Sequence, residues 1–312
     1  MNLKAFSLAA VFLLAAAFCG AEELKVLMIG NSFSQSVLRD LPNIVKASGK
    51  DKLKLAQAMI GGCSMQRHCA EYRKSEAAPA HRPYWTNLNL DNRPKNKVSL
   101  QDLLTADQWD IVTIQQASHE SWNPESFRFA EELIGMIRRH QPKAEIVIQQ
   151  TWSYRADDPR LMPGGAWGFD QDGMYERLTG AYRKLASELN LRIIPTGYAV
   201  QLARRNQPFR FQNYDPAVLE TLHWPDLPSQ AGSIVGQMWW QKGEDGELKI
   251  GRDTIHLNTR GQYLQACVWF AFLYGCRTSE ITFVPKVIGD SDAEFLRETA
   301  QKAVDEFEQT VK

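Results

Sequence analysis

The stretch "KVLMIGNSFSQSV", from Lys25 to Val37, is the strongest indication of the fold in this chain. An apolar run ends at Gly30, and Asn31 and Ser32 follow it directly. Such a run is typical of a strand that is covered on both faces. A Gly-Asn-Ser turn after a strand either caps the next helix or presents a reactive serine, and helix caps are the commoner use. The stretch alone therefore leaves the role of Ser32 open.

Apolar runs alternate with helical patterns along the rest of the chain. Helical patterns follow the first, third and fourth runs, as "SVLRDLPNIVKASG", "PESFRFAEELIGMIRRH" and "DGMYERLTGAYRKLASELN". We also predict a long buried helix at "HLNTRGQYLQACVWFAFLYG" and a final amphipathic helix at "DAEFLRETAQKAVDEFEQTVK". This alternation indicates βα units and a parallel sheet. The predicted strands are Leu24–Ile29, Lys52–Met59, Trp109–Gln115, Ala144–Gln150 and Leu191–Ile194.

Two polar stretches are long for connections between such elements. The first, near 69–99, is rich in Pro, Asn and Arg, and the second, near 206–251, holds "HWPDLPSQAG" and the turn-like "KGEDGE". Insertions of this kind often build the rim of a ligand site at the carboxyl ends of the strands. We predict a single domain over 22–312 with these two insertions.

The first 21 residues have the pattern of a secretory signal peptide. Lys4 gives a positive start, an apolar stretch follows, and Cys19 begins a run of small residues. Phe18 is bulky where lipoprotein signals carry a small residue, so cleavage and release are favoured over a lipid anchor. We expect a signal peptide at 1–21 and an exported protein, periplasmic or extracellular. No later segment is long and apolar enough to cross a bilayer.

The composition excludes some partners. Lys plus Arg and Asp plus Glu both number 36, so the net charge is zero and gives no general attraction to nucleic acid or to an anionic membrane. Nine Trp, nine Tyr and 14 Phe suit an apolar cleft or a sugar-stacking surface, although most of them are expected in the core. The oligomeric state is left open.

Four cysteines remain once the signal peptide is removed. Cys267 and Cys276 would lie about 13 Å apart along a helix, too far for a disulfide. A bond between Cys63 and Cys69, cross-pairs, or free thiols all stay open. Cys63, His68 and Cys69 resemble half of a zinc site, but no second half follows, so we expect no metal and no other cofactor.

A second polar motif stands near the other end of the chain, in "GRDTIHLNTRGQYL". Asp253 and His256 are three residues apart, just before the long buried helix. An aspartate can orient an imidazole through Nδ1–H and leave Nε2 to take a serine proton, without which a serine hydroxyl is a poor nucleophile. An Asp-x-x-His pattern is common near helix starts. Together with Ser32 at a strand end, however, the two signals reinforce each other.

These residues resemble the SGNH, or GDSL-type, hydrolases. The match consists of Gly-Asn-Ser after the first strand, a glycine after the second, and "DTIHLNTRG", which is close to that superfamily's D-x-x-H-x-N-x-x-G signature. It covers the chain from about residue 25 to 275. The resemblance implies a three-layer α/β/α sandwich, flavodoxin-like, with a five-stranded parallel sheet in the order 2-1-3-4-5. It also implies Ser32 as nucleophile, His256 as general base and then acid, and Asp253 as the residue that orients it.

The oxyanion hole departs from the pattern of the superfamily. "MIGGCS" after the second strand matches the glycine position, which makes Gly62, or its neighbour Gly61, the backbone donor beside the N–H of Ser32. The third block of the superfamily carries an asparagine donor, whereas the third strand here ends in Gln-Gln. We favour Gln116 as the donor because it keeps the amide chemistry, while strict alignment points to His119. The usual Gly-Asp-Ser is Gly-Asn-Ser here, a change that the triad tolerates.

The function expected from these features is an exported serine esterase that removes small O-acyl groups, such as acetyl, from carbohydrate. Strand ends rich in glutamine occur in carbohydrate-directed branches of the superfamily. Trp152 is a candidate cleft wall and His223 a candidate rim contact for a sugar ring, while His68 and His81 are expected on the surface. The alternatives are a lysophospholipase-like or thioesterase-like acyl hydrolase, which needs a long apolar pocket, and a non-catalytic carbohydrate-binding protein on the same scaffold.

Overall fold

All five predicted strands are present, with ends that differ from the prediction by at most two residues. The structure, a computed structural model, describes residues 23–50, 52–90 and 97–309. The predicted signal peptide lies outside the described residues. The strands are β1 (Leu24–Gly30), β2 (Leu53–Met59), β3 (Ile111–Ile114), β4 (Glu145–Gln149) and β5 (Arg192–Ile194).

These strands form one parallel sheet in the order β2-β1-β3-β4-β5, the order that the resemblance implies. β1 lies inside the sheet, with Val26 paired to Ile111 of β3. Its residues from Val26 to Ile29 are at most 1% exposed, which explains why the strand reads as a continuous apolar run. The carboxyl ends of β1, β2 and β3 therefore meet at one edge, where ligands bind in open α/β sheets.

Helices cover both faces of the sheet. The chain turns from β1 back to β2 and then runs the other way through β3, β4 and β5, so right-handed connections place the helices on opposite faces. One layer contains α2, α8 and α9, which pack on one another, and the other contains α3, α4 and α5. The helices are α1 (Ser32–Gln35), α2 (Val37–Ser48), α3 (Met65–Ala77), α4 (Leu100–Leu104), α5 (Ala130–His140), α6 (Gln171–Leu189), α7 (Thr196–Asn206), α8 (Thr259–Tyr274) and α9 (Asp290–Gln309).

The second insertion contains a hairpin that the sequence did not predict. Its strands are β6 (Val235–Lys242) and β7 (Leu248–Leu257), an antiparallel pair separate from the main sheet. β7 includes His256, so the buried helix predicted to begin there begins at Thr259 instead. The hairpin is only half covered and therefore lacks the apolar run by which the five parallel strands were recognised.

The Asn and Gly of the "DTIHLNTRG" motif join this hairpin to α8. The Asn258 side chain accepts the N–H of Gly261 and so caps the helix. Its Nδ2 also donates to the carbonyl of Ser233, 2.8 Å away. A Cβ on Gly261 would lie 2.4 Å from the carbonyl oxygen of Ile234, so a glycine is needed at this close approach.

The structure also bears on the predictions made for the cysteines, His68 and His81. The four described cysteines are free, and burial raises the pKa of Cys63 and Cys69 to about 12. The expectation of a surface position is wrong for His68, which is fully buried with Nδ1 3.0 Å from the hydroxyl of Tyr84. Burial lowers the pKa of His68 to about 3. His81 is partly exposed and contacts the Glu71 carboxylate.

Membrane-spanning helices and metal-binding clusters are both absent from the described ranges. Across residues 23–50, 52–90 and 97–309, no helix combines the length and the hydrophobicity needed to span a bilayer. Within the same ranges, no group of three or more His, Cys, Asp or Glu side chains is arranged to hold a metal ion.

Candidate active site

Ser32, His256 and Asp253 form one hydrogen-bonded chain. Ser32 Oγ lies 2.9 Å from His256 Nε2, and His256 Nδ1 lies 2.8 Å from Asp253 Oδ2. The serine begins α1, just past the carboxyl end of β1, while the other two residues lie on β7. When Nδ1 carries the proton and donates it to the aspartate, Nε2 is free to accept the serine hydroxyl. The structure thus brings together residues that are 224 positions apart in sequence.

The carboxylate of Asp253 is fixed by two further hydrogen bonds. Its Oδ1 accepts the backbone N–H groups of Ile255 and His256, at 2.8 and 3.0 Å. Burial on its own would raise the pKa of Asp253, but the hydrogen bonds from the His256 ring and from the two N–H groups outweigh it and lower the pKa to about 2. The side chain is therefore ionised at neutral pH and is suited to hold a charged imidazolium.

Asn31 connects the serine turn to the loop that follows β2. The residue is 2% exposed, and its Oδ1 accepts the N–H of Phe33 and the side-chain amide of Gln115. Its Nδ2 donates to the carbonyl of Cys63 at 3.1 Å. An ionised aspartate has no hydrogen to donate to this carbonyl. The Gly-Asn-Ser variant of the motif thus has a structural role of its own.

Buried side-chain amides hold α1 from several sides. Ser34 Oγ donates to Gln115 Oε1 at 2.7 Å. The amides of Gln149 and Gln265 donate to the Phe33 carbonyl at 3.2 and 3.1 Å. These glutamines come from the end of β3, the end of β4 and α8. The position of the nucleophile is therefore set by three separate elements of the fold.

Two glycines at this edge meet different requirements. A Cβ on Gly30 would lie 2.0 Å from Ser34 Oγ and 3.0 Å from Gln115 Cδ, so only glycine fits between β1 and the buried amide. Gly62 has a φ of +59°, in the left-handed region that favours glycine. Its N–H forms no hydrogen bond with any residue in the described part of the chain.

Gln116, the predicted side-chain donor of the oxyanion hole, is used elsewhere, and that prediction is wrong. Its Nε2 donates to the carbonyl of Ser126 at 2.7 Å, and its Oε1 accepts the N–H groups of Met65 and Ala117. Successive side chains of an extended segment point to opposite faces. Gln115 accordingly reaches the serine turn, while Gln116 holds the start of α3 on the other side.

Trp152 is a floor of the site rather than an exposed wall. It is fully buried and stacks on Phe33, with ring centroids 4.1 Å apart. Its Nε1 donates to the carbonyl of Ile255 at 2.9 Å, one residue before His256. The indole therefore joins the segment that carries Ser32 to the strand that carries His256.

The two remaining candidate histidines lie apart from the triad. The His119 side chain is 48% exposed, and its Nε2 lies 3.5 Å from the carboxylate of Glu120. His223 is exposed, and its carbonyl accepts the N–H of Asp226. Neither has a hydrogen bond or ring contact with Ser32 or His256 among the described residues, so their roles in substrate binding stay predictions.

A cavity of about 390 Å³ opens beside the serine, between α1, the start of α2 and the start of α8. Six of its eight lining residues have polar side chains, and the two apolar ones are Trp152 and Leu257. Three of its residues were missed from the sequence although their spacing could have found them, because Gln35, Ser36 and Arg39 follow Ser32 by three, four and seven positions and so share one helical face. The lining residues are Ser32, Gln35, Ser36, Arg39, Trp152, His256, Leu257 and Gln262.

Comparison with known proteins gives a family match. The family described as "Domain of unknown function (DUF4886)" matches residues 25–214, which is more than half of the chain. The crystal structure of a DUF4886 family protein from Bacteroides uniformis ATCC 8492 is similar, with 26% sequence identity and a TM-score of 0.69. That similarity covers 91% of this chain and 96% of that chain. None of the curated proteins matches this sequence.

More distant solved structures were also found. An acetyl xylan esterase has 15% identity and a TM-score of 0.44, and the similarity covers 80% of this chain and 100% of that chain. A lipase/acylhydrolase from Enterococcus faecalis has 12% identity and a TM-score of 0.43, with 81% of this chain and 96% of that chain covered. The strand order and the serine-histidine-aspartate arrangement described above agree with the SGNH resemblance found in the sequence.

Proposed function

The chain belongs to the DUF4886 family, and we propose that it is a serine ester hydrolase of SGNH type. The single observation that carries this proposal is the chain of hydrogen bonds from Ser32 Oγ to His256 Nε2, at 2.9 Å, and from His256 Nδ1 to Asp253 Oδ2, at 2.8 Å. A hydroxyl, a base and an orienting carboxylate in this order are what acyl transfer to serine needs. Their place at the carboxyl edge of a parallel sheet supports the same proposal.

The proposed reaction runs in two halves. Ser32 Oγ attacks the ester carbonyl carbon while His256 Nε2 takes its proton, and the carboxylate of Asp253 stabilises the imidazolium. The C–O bond to the alcohol then breaks, and the alcohol leaves with the proton from His256. A water molecule gives a proton to His256 and attacks the acyl-enzyme. Release of the acid returns the proton to Ser32.

The N–H groups of Ser32 and Gly62 are the proposed donors to the oxyanion. The first stands in the opening turn of α1, where backbone N–H groups have no acceptor within the helix. The second is free of partners in the described part of the chain. The bond from Asn31 Nδ2 to the Cys63 carbonyl holds the two turns beside each other. Fixed backbone donors of this kind stabilise the charge that develops in the transition state.

A small acyl group on a carbohydrate is the substrate that we propose. The cavity of about 390 Å³ presents the side-chain amides of Gln35 and Gln262 and the guanidinium of Arg39 beside the serine, and such groups suit a hydroxyl-rich substrate. Trp224 and Trp239, in the second insertion, are 66% and 38% exposed. Exposed indoles are amphipathic surfaces on which a sugar ring can stack.

Hydrolysis of p-nitrophenyl esters tests this proposal. We expect turnover of the acetate to exceed that of the octanoate, and Ser32→Ala to lower kcat/KM for the acetate at least about 10³-fold. Ser48→Ala, at the far end of α2, is the matched control and should behave like the wild type. Absence of turnover, or equal turnover by Ser32→Ala, would contradict the triad and favour the non-catalytic alternative. A preference for the octanoate would favour the long-chain alternative.

Export is a separate proposal, based on the sequence pattern of residues 1–21. Expression of the full chain in a bacterial host, followed by fractionation and N-terminal sequencing, should recover a protein that starts near Glu22 outside the cytoplasm. Recovery of the intact chain in the cytoplasm would contradict it.

A further inference from the structure

We propose that Arg39 binds a carboxylate on the sugar that carries the acyl group, so that the enzyme selects acylated acidic carbohydrate. This inference rests on the proposed esterase function and specifies its substrate class. The triad accounts for Ser32 and His256 in the lining of the cavity, but it does not account for Arg39.

Arg39 and the nucleophile share one face of a nearly continuous helical segment. Ser36, between α1 and α2, has φ −59° and ψ −25°, so the right-handed helical backbone runs on from one helix to the next. Seven residues at 1.5 Å rise place Arg39 about 10 Å from Ser32 along the axis. Both side chains line the same cavity. A single sugar unit or its direct neighbour can therefore contact both.

The guanidinium is oriented from the other wall of the cavity. Arg39 Nη1 donates to Gln262 Oε1 at 2.5 Å and lies 3.3 Å from Thr259 Oγ1, and both acceptors belong to the first turn of α8. These acceptors are neutral, so they fix the side chain without cancelling its charge. Among the described residues that line the cavity, Arg39 is the one with a permanent charge.

Among the described residues, no carboxylate binds the fork of Arg39 through both of its oxygens. The nearest, Asp40 Oδ1, lies 3.9 Å from Arg39 Nε, and its side chain is only 4% exposed. Burial raises the pKa of Asp40 and so disfavours its charged form. By contrast, the forks of Arg155 and Arg260 are each bound by both oxygens of one aspartate.

The free part of the fork points to a planar anion as the ligand. Within the described residues, Arg39 Nη2 forms no hydrogen bond, and the side chain is 46% exposed. A guanidinium matches the geometry of a carboxylate better than that of a neutral group, and charge-assisted hydrogen bonds are about twice as strong as neutral ones. A uronic acid supplies such a carboxylate on the same ring as acylated hydroxyls.

A matched pair of substrates tests the proposal. Acetylated methyl glucuronoside and its carboxamide differ in one group, an anionic carboxylate in the first and a neutral amide of similar shape in the second. We expect the wild type to show about a tenfold higher kcat/KM for the acid. In Arg39→Gln the ratio of acid to amide should fall to about one. In Arg39→Lys, which keeps the charge but loses the fork, an intermediate ratio is expected.

Lys46→Gln is the control for net charge. This lysine also lies on α2, seven residues after Arg39 and further from the cavity. Its substitution removes the same single charge from the same helix. The ratio of acid to amide should stay as in the wild type. Loss of the ratio in both variants would show a general field effect and overturn the assignment to Arg39. Thermal unfolding of each variant checks that the fold is intact.

Other outcomes separate this inference from the proposed function. Equal kcat/KM for acid and amide in the wild type, or an unchanged ratio in Arg39→Gln, would overturn the role of Arg39 while leaving the esterase intact. A preference for the p-nitrophenyl ester of succinic acid over that of succinamic acid would overturn the placement of the anion on the sugar. Titration of the protein with non-acetylated methyl glucuronoside and its amide measures the same selectivity without turnover, so a failure of hydrolysis does not decide it.

Discussion

The two halves of the triad are held in different ways. Ser32 stands at the edge of the five-stranded sheet, and the turn around it is bonded to buried amides from β3, β4 and α8. His256 and Asp253 stand on a two-stranded hairpin outside that sheet, and their side chains are 40% and 22% exposed. Ser32 is placed by the core of the fold, whereas His256 and Asp253 are placed by an attached element.

A few contacts connect the hairpin to the core near the base. The Trp152 indole donates to the Ile255 carbonyl, and the N–H of Arg155 donates to the Thr254 carbonyl at 2.8 Å. Thr254 also donates its hydroxyl to Asp158 at 2.6 Å. We therefore expect that substitutions on the hairpin can change activity without changing stability. Substitutions around Ser32 should change both.

Removal of the base should have the largest effect on activity and little on stability. In His256→Ala we expect kcat to fall about 10⁴-fold, because Ser32 loses its general base. The free energy of unfolding should change little, because the side chain is partly exposed. Since the triad acts as a unit, the double variant with Ser32→Ala should be no slower than either single variant. An additive loss in steady-state kinetics would mean that the two residues act independently.

Asp253→Asn should lower kcat about 10³-fold by disturbing the orientation and charge of the imidazole. The same change should alter stability with pH. The pKa of Asp253 is lowered from 3.8 to about 2 in the fold, so its ionised form stabilises the protein above about pH 4. That contribution is lost as the pH falls through about 2. Urea unfolding at several pH values should therefore show wild type and variant converging below pH 4, and a constant difference would contradict the assignment.

Gln115→Leu tests whether stability and activity change together around Ser32. It removes one of the two donors to Asn31 Oδ1 and leaves the buried Ser34 hydroxyl without its acceptor, so the free energy of unfolding should fall by about 1 to 3 kcal/mol. We expect kcat to fall about tenfold as well, because the serine turn loses its support. Gln116→Leu is the matched control, with the same volume change and a similar loss of stability but a smaller loss of kcat. Equal kinetic losses would remove the distinction between the two glutamines.

Trp152→Phe should give the smallest effect. The phenyl ring can keep the stack on Phe33 but loses the hydrogen bond to Ile255, so the free energy of unfolding should fall by about 1 kcal/mol and kcat a few-fold. Trp269→Phe is the control, since that buried indole has no hydrogen-bond partner in the described structure. It should lose stability without loss of kcat. A kinetic defect shared by both variants would mean that core volume, not the indole bond, positions the hairpin.

The same contrast explains what the sequence could and could not predict. Parallel strands that are buried on both faces read as apolar runs, so all five were found. The half-covered hairpin has no such run, yet Asp253 and His256 were found because their spacing is local. The three-residue offset became informative together with Ser32 at a strand end and with the resemblance of "DTIHLNTRG" to the SGNH signature.

Burial of polar residues was the main source of error. Gln115 and Gln116 look alike in sequence, and which of them reaches the serine depends on the phase of the strand end. The β4 end repeats the pattern, since Gln149 bonds to Phe33 while the Gln150 side chain accepts the N–H of Tyr198. His68 was missed for a related reason, because its one partner, Tyr84, lies in a polar stretch that was taken for a surface insertion.

The distance between Ser32 and His256 along the chain has a consequence for synthesis. A ribosome that adds about 5 to 20 residues per second needs roughly 10 to 45 s to travel the 224 residues between them. During that interval the serine turn can form with β1, β2 and β3, but its hydroxyl has no base. If Ser32 and His256 act as proposed, the growing chain cannot hydrolyse esters until His256 has been made.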